Sequence, residues 1–564
     1  MPIPRAGERA ARTSSWWFAL GILGILLYFM LCCRRFRFSR LVALTVDRPP
    51  RPSSHAAPLG HVYLAGYSRT NATTDPKFLC PMRQSILRSL LGILIAGSSV
   101  ARCQGRVFDV TTFGAIGDGK ADDTSAIRSA FAAAAATLPT STRCVVLFPF
   151  GQTFLSGPLN ITRSNMVLRI DGTLRAINAD NLRGGGKYIR REWPQILPLP
   201  SYQHSDDLHY LQHQAFLYGR DVENVTITGV GTIDGSGSWW WEMFEQRNGT
   251  AVPAGRPNLI QILNCTNLEI SHVTMRDSPF WTVHPVYCTN VHIHHTTIRA
   301  RMYAPNVDGI DPDSCRNVMI EYNDVSVGDD HIAIKAGRCG STPPSPSVDC
   351  RLPQYLDGEV WQTNNVTVRY NTFRIGMGIA VGSESSGSIR NVAIYDNEVG
   401  VCDFGHCNHT CCGWGPGLHI KTTPTRGGFI DNVVFQNNTV YNTSMFILLE
   451  LGYQADKDDV PKDYPPTKVR NISFVNNQAL GMAVGASFGC AKGDPCENIQ
   501  IINTTIANAG SRNPWGCEFV ETFQVKGNRP GGLEECMANS MNQSRLVVKR
   551  AETIFSPTTK TSTT

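Results

Sequence analysis

Asp308, Asp311 and Asp313 crowd the stretch NVDGIDPD that begins at Asn306. A second acidic pair, Asp329 and Asp330, follows in VGDDHIAIK, with His331 directly behind it. Carboxylates brought side by side repel one another, so at least one keeps its proton near neutral pH while its neighbours stay ionised. Hydrolysis of a glycosidic bond needs that pairing of an acid with a base. The competing use of such residues is a turn or a calcium loop, but no EF-hand or nonapeptide repeat continues the pattern. His331 can tune Asp330, contact a sugar or simply pack in the turn.

For these acids to meet, the stretch from Asp308 to Asp329 must make one turn of a repeating structure. A repeat is present. NVTITG at Asn224, NLEISH at Asn267, NVHIHH at Asn290, NVMIEY at Asn317 and NVTVRY at Asn365 share one pattern. It continues as NVAIYD at Asn391, NVVFQN at Asn432, NISFVN at Asn471 and NIQIIN at Asn498. The short offsets, such as Asn267 to Asn290 and Asn290 to Asn317, define one coil and nearly match the step from Asp308 to Asp329. The long ones, such as Asn224 to Asn267 and Asn317 to Asn365, read as a coil plus an insertion. Each unit is a short strand with period-two alternation that cannot bury its apolar face alone. Stacking predicts an all-β solenoid, a parallel β-helix whose repeat asparagines ladder between coils about 4.8 Å apart. Leucine-rich repeats fit less well, because their leucine spacing is absent. Asp122-Asp123-Thr124 ahead of AIRSAFAAAAATL predicts an N-capped helix that closes one end of the solenoid.

The chain has 564 residues, 17% of them charged and 42% apolar, which excludes disorder throughout. Residues 1–81 carry a charge surplus of +8, whereas residues 104–564 sum to −5, so nothing supports a nucleic-acid partner. Trp16 to Cys33 is an apolar run with arginines behind it, long enough for a membrane anchor. A second signal starts at Met82: Arg83 and Arg88, an apolar stretch from Leu90 to Ala96, and Ser99-Val100-Ala101 as a cleavage site. We read residues 1–81 as an extension of the gene model, 82–103 as a secretory signal, 104–550 as the solenoid and 551–564 as a disordered tail. That makes the protein secreted, with anchoring through residues 16–33 as the alternative. Eleven N-x-S/T sequons and 14 cysteines after Cys103 agree with export. Cys339/Cys350 and Cys490/Cys496 are the close candidate disulfide pairs.

The acidic motifs also carry a likeness. Asn306-Val307-Asp308-Gly309, Gly328-Asp329-Asp330, IGMGIAVGSE and LHIKTTPTRGG resemble the four signature motifs of glycoside hydrolase family 28, the polygalacturonase family. FGAIGDGKADDTSAI at Phe113 and GTIDGSGSWWW at Gly231 are similar to its early coils, so the resemblance runs from about 107 to 505. It implies a right-handed parallel β-helix that hydrolyses α-linked pectic chains with inversion, as a monomer without cofactor or metal. By that resemblance Asp329 is the general acid, and Asp308 and Asp330 activate water. Lys421 and Tyr453 bind substrate, with Asn306, His331, His419 and Glu384 as further candidate contacts. A one-rung spacing is short against the roughly 6.5–9.5 Å usual between inverting carboxylates, so inversion rests on the resemblance.

Two motifs depart from the family. Gly376-Met377-Gly378 stands where relatives have Gly-His-Gly, and His419-Ile420-Lys421 where they have Arg-Ile-Lys. Histidine cannot reproduce the two-pronged grip of arginine on a carboxylate, and Met377 puts an apolar thioether in the place of a polar ring. We therefore expect hydrolysis of terminal α-L-rhamnose, Met377 packing on the C6 methyl, with release of galacturonate as the alternative. The partner is a pectic polysaccharide or a rhamnose-containing oligosaccharide. Insertions at 337–361 and 401–417 lie between the motifs and favour attack at chain ends. Trp239, Trp240 and Trp241 are candidate sugar platforms, at least one of them buried. The rival of another class is a non-catalytic carbohydrate-binding β-helix, which has no need for clustered acids.

Overall fold

Alternation along each repeat puts pairs such as Val225/Ile227, Leu268/Ile270, Val291/Ile293 and Val318/Ile320 on one face of successive strands, where all are buried. Each such side chain contributes about 1.5–3 kcal/mol when fully covered. The computed structural model describes residues 105–178, 180–181, 193–202, 211–246, 255–338, 361–402, 415–423, 426–453, 467–480, 485–492, 494–507 and 514–542. The two targeting segments, the Cys339/Cys350 pair, both rim insertions for most of their length and the tail lie outside them. Among the described residues no helix is long and apolar enough to cross a membrane.

Among the described residues the strands form three long sheets of 15, 12 and 6 strands, parallel throughout, and one two-stranded antiparallel pair stands apart. In each sheet a strand pairs with the equivalent strand one coil away, Val225 with Leu268 and then Leu268 with Val291. This is the parallel β-helix expected from the repeat. The 6-stranded sheet runs Ile332–Ile334, Ile379–Gly382, Pro416–Lys421, Met445–Glu450, Ala486–Gly489 and Trp515–Glu518. Single bridges extend it upstream, from Ile332 to Ile310 and from Ile310 to Val283.

Two asparagine ladders pin the coils in register. The outer one is the predicted ladder. Nδ2 of Asn267, Asn290, Asn317 and Asn365 donates to Oδ1 of Asn224, Asn267, Asn290 and Asn317 at 2.8–3.0 Å. All five take left-handed backbone angles, φ 55–64°, which asparagine tolerates better than most residues. The inner ladder was not anticipated. Asn323, Asn371, Asn397, Asn438 and Asn477 are buried, and each of the first four donates from both backbone and side chain to Oδ1 of the next.

The ladders also change the meaning of the sequons. At Asn224, Asn264, Asn365, Asn471 and Asn503 the side-chain nitrogen already donates to the preceding coil. At Asn224 and Asn365 that nitrogen belongs to the outer ladder itself.

Cysteine use needs a correction as well. Cys490–Cys496 is a disulfide as expected, and Cys517–Cys536 is another. Cys144, Cys265, Cys288 and Cys315, however, are free and buried. Cys265, Cys288 and Cys315 stack on consecutive coils, each backbone N–H of the first two pointing to the next sulfur at 3.4 Å. They fill the core as small apolar groups.

The helix Thr124–Ala135 covers the first coils with Ile127, Ala130, Phe131 and Ala134. Its cap differs from expectation. Asp123 makes no capping bond and instead accepts from the N–H of Ile116 and Gly117, while Asp122 accepts from Thr124. Trp240 and Trp241 are buried, so they are coil packing and not sugar platforms, while the partly exposed Trp239 packs against the core.

The two ladders make a comparison. Replacing Asn371 with Ala strips partners from buried backbone groups and should cost about 2–3 kcal/mol, whereas Asn290→Gly on the exposed ladder should cost less than about 1 kcal/mol. Guanidinium unfolding midpoints measure both, and equal effects would refute the distinction.

Candidate active site

The acids sit where the chain turns from the 12-stranded into the 6-stranded sheet. Three such turns stack directly. Asp329 N–H donates to Val307 O at 3.2 Å and Gly309 N–H to Asp330 O at 2.9 Å. On the other side Met377 N–H donates to Asp329 O and His331 N–H to Gly378 O, both at 2.9 Å. Close approach explains Gly328, where a Cβ would lie 2.2 Å from Ala304 O. Asp308 and the Asp329-Asp330 pair therefore face one another from neighbouring rungs.

Burial divides their roles. Asp308, Asp311 and Asp330 are 4%, 0% and 2% exposed, and Asp329 alone is partly open. Burial, then the charge of Asp330, pushes the Asp329 carboxyl up to about 6. Burial also drives Asp311 up to about 8 and raises Asp308, with Asp311 and Asp329 adding to the effect on Asp308. Asp330 Oδ2 accepts from Lys421 Nζ at 2.7 Å, while its Oδ1 is buried with no hydrogen-bond partner among the described residues.

Two lysines hold this charge together. Lys335 Nζ lies 3.7 Å from both Asp308 and Asp311 and 3.1 Å from Glu384, and 4.2 Å above the Trp281 ring. Burial is the largest influence and opposes both ionised forms, yet the surrounding opposite charges together overcome it: Glu384, Asp311 and Asp308 raise the ammonium, and Lys335 with Arg426 and Arg338 holds the Glu384 carboxyl far below its usual range. Lys421 is likewise raised: burial opposes its charge most strongly, but Asp330, Tyr453 and Asp329 together overcome it. Register sets the two lysines on one line. Asp313, Lys335, Gly382, Lys421 and Glu450 occupy one row across the sheet, with alternate residues such as Ala333, Ala380 and His419 on the same outer face.

The candidate contacts fall into two groups. Lys421, His419 and Tyr453 cluster: the Lys421 ammonium lies 5.0 Å from the Tyr453 ring centroid, and His419 meets that ring edge-on at 6.3 Å. His419 Nε2 is 2.9 Å from Glu450 Oε1, and burial lowers its tendency to protonate. Met377 is partly exposed and packs so tightly on Gly415 that a Cβ there would lie 2.7 Å away. Asn306 and His331 take other positions. Asn306 Oδ1 accepts from the buried Arg256 at 2.8 Å, so it orients a guanidinium whose charge acts on Asp308 and Asp329. His331 is fully buried, its Nδ1 accepting from Gly378 N–H and its Nε2 donating to Ile375 O. Burial holds it near 4, so it is neutral and braces the third motif with no nitrogen left for a sugar. That corrects its reading as a substrate contact.

Sequence reasoning gave no role to Lys335, Asp311 or Arg256. For Lys335 a signal existed: it ends the strand IAIK as Lys421 ends HIK, a charge closing an apolar run. Asp313, grouped with the acids by spacing, is a structural hub instead. It accepts from Tyr202 Oη at 2.6 Å, Ser314 Oγ at 2.9 Å and Gly337 N–H at 3.0 Å. Through Tyr202, and through Ser201 bonded to Tyr287, a segment lies across the upstream end of the row.

The model of Glycosyl hydrolases family 28 matches residues 148–527. The "Probable polygalacturonase" of Vitis vinifera is 29% identical over 431 residues, covering 75% of this chain and 79% of its own. The endo-polygalacturonase of Pectobacterium carotovorum is 27% identical over 59% of this chain and 72% of its own. Among solved structures, the exopolygalacturonase of Thermotoga maritima superposes with a TM-score of 0.58 at 25% identity, over 78% of this chain and 96% of that one. Stacked acidic turns, a right-handed parallel β-helix and a family match over more than half of the sequence converge: the chain belongs to glycosyl hydrolases family 28 and is a glycosidase.

Proposed function

We propose that this glycosidase hydrolyses α-linkages at the ends of pectic chains with inversion, releasing galacturonate, and that it acts outside the cell. The observation that carries the chemistry is the division of the carboxyls. Asp329, partly open and half-protonated near pH 6, stands next to Asp330, whose Oδ1 has no protein donor among the described residues. Asp329 gives its proton to the glycosidic oxygen as the bond breaks. Water between Asp330 Oδ1 and Asp308 attacks the opposite face of the sugar and loses its proton to Asp330. Asp311, protonated at neutral pH, stands beside Asp308 and moderates the repulsion there. Lys421 steadies Asp330, and Tyr453 offers a ring to the sugar. Family membership supports inversion. Attack at chain ends is supported by the segment at Ser201-Tyr202 across the upstream end of the row. The names of the relatives favour galacturonate over the rhamnose first expected from the altered motifs.

Terminal α-L-rhamnose remains the second reading, and one pair of residues favours it. His419, in the place of the family's arginine, is buried against the carboxylate of Glu450. A neutral imidazole beside an acid is a poor partner for a uronate and an adequate one for a deoxy sugar. Product analysis on polygalacturonate, rhamnogalacturonan oligomers and an aryl α-L-rhamnoside separates the two. Galacturonate as the first and sole product supports the main reading; rhamnose release with inert polygalacturonate refutes it.

Activity should fall as pH rises above about 6, because Asp329 then loses the proton it must donate. Asp329→Asn should lower kcat by about 10²–10⁴-fold, erase that limb and leave the unfolding midpoint near wild type. A pH–rate profile of both proteins tests this, and a limb that persists in the variant assigns the acid elsewhere. Lys335→Met leaves Asp308, Asp311 and Glu384 without their shared cation and should destabilise the fold by about 3–5 kcal/mol. An unchanged unfolding midpoint would show that the lysine does not hold the cluster together.

A further inference from the structure

A second cluster of titratable side chains lies on another turn of the coil, where the 15-stranded sheet gives way to the 12-stranded one. His272 follows the strand Ile260–Ser271, and His294 and His295 stand at the equivalent turn one coil on. His272 N–H donates to His294 O at 3.3 Å, so the two turns are adjacent rungs. One ring nitrogen from each of the three lies within 4.8 Å of the others. His294 Nδ1 and His295 Nδ1 are 2.9 Å apart, and the His272 and His295 rings stack at 5.2 Å.

Behind the three rings stands a carboxylate. His294 Nε2, the nitrogen turned away from His295, is 3.4 Å from Glu269 Oε1, which also accepts from Ser271 Oγ. A carboxylate on the far nitrogen fixes the tautomer and leaves Nδ1 with a lone pair directed at the cluster, the arrangement that orients metal-bound histidines. His292 and Glu321 form a neighbouring pair at 3.0 Å, and Tyr322 stacks on His295.

We propose that His272, His294 and His295 form a binding site for a borderline divalent cation of the zinc class, with Glu269 orienting His294 and water as the fourth ligand. Metal–nitrogen distances of about 2.0–2.1 Å put tetrahedral ligand nitrogens about 3.3 Å apart, so the rings need only small rotations to close on the ion. Imidazole suits zinc, copper and nickel rather than calcium or magnesium. The ligands come from two successive coils, so the ion acts as a clip between rungs and takes no part in hydrolysis. Sequence spacing hid the site: His272 and His294 stand almost a whole coil apart in the chain, far from any zinc-finger pattern, and only coil register brings them together.

Untagged full-length protein titrated with Zn²⁺ by calorimetry, and with Co²⁺ followed by visible absorption, tests the site. One equivalent should bind and raise the melting temperature, with a Co²⁺ spectrum typical of four-coordination. His272→Asn/His295→Asn, which keeps a residue tolerant of the left-handed backbone at both positions (φ 64° and 53°), should lose that binding and its metal-dependent rise in melting temperature while the metal-free variant still unfolds cooperatively. Glu269→Gln should weaken it about 10–100-fold, and Asp329→Asn should retain it. No uptake by the wild type, undiminished uptake by the double variant, or uptake lost on Asp329→Asn alone would each overturn the proposal.

Discussion

Parallel strand pairing from coil to coil makes the spatial neighbour of each residue the one found a full turn away in sequence. Hydrogen bonds between rungs enforce this down three faces, and every functional feature inherits it. The outer asparagine ladder, the inner one, the stack of free cysteines and the row of Lys335, Lys421 and Glu450 all express the same translation. A solenoid needs no distant contact to place a side chain. It needs the coil to keep its register, and insertions to be confined to the turns.

The acidic cluster uses that translation to do something a globular core avoids. Five carboxyls, Asp308, Asp311, Asp329, Asp330 and Glu384, gather around two buried lysines. Their desolvation is costly, and the rigidity of the stacked turns keeps them from relaxing apart. The result is a graded set: Glu384 ionised among its cations, Asp311 protonated, and Asp329 between them at about 6. His331 contributes by being inert. Both of its nitrogens are spent on backbone, which fixes the third motif against the second.

Departures from the family pattern follow the same logic. His419 sits where arginine is usual, and Glu450, one rung along, supplies it with a carboxylate. Met377 nests against Gly415, a residue whose lack of a side chain makes room for it. Each altered residue has a compensating neighbour on the adjoining coil.

Read alone, the sequence contained the solenoid, because period-two alternation and the recurring Asn-apolar start are local and leave no other way to bury the strands. It contained Asp308, Asp329 and Asp330 for the same reason: a spacing of one coil is visible in a linear string. What it could not contain was anything set by depth. Whether a histidine is spent on backbone, as His331 is, or a cysteine is core filling, as Cys288 is, depends on which face of the coil it occupies and what covers it. Long insertions also change the count between coils, so Lys335 and Glu384, far apart in the chain, meet with no periodic signal. Types and order of coils are written in the chain; protonation states and partners are decided only when burial and register bring charges together.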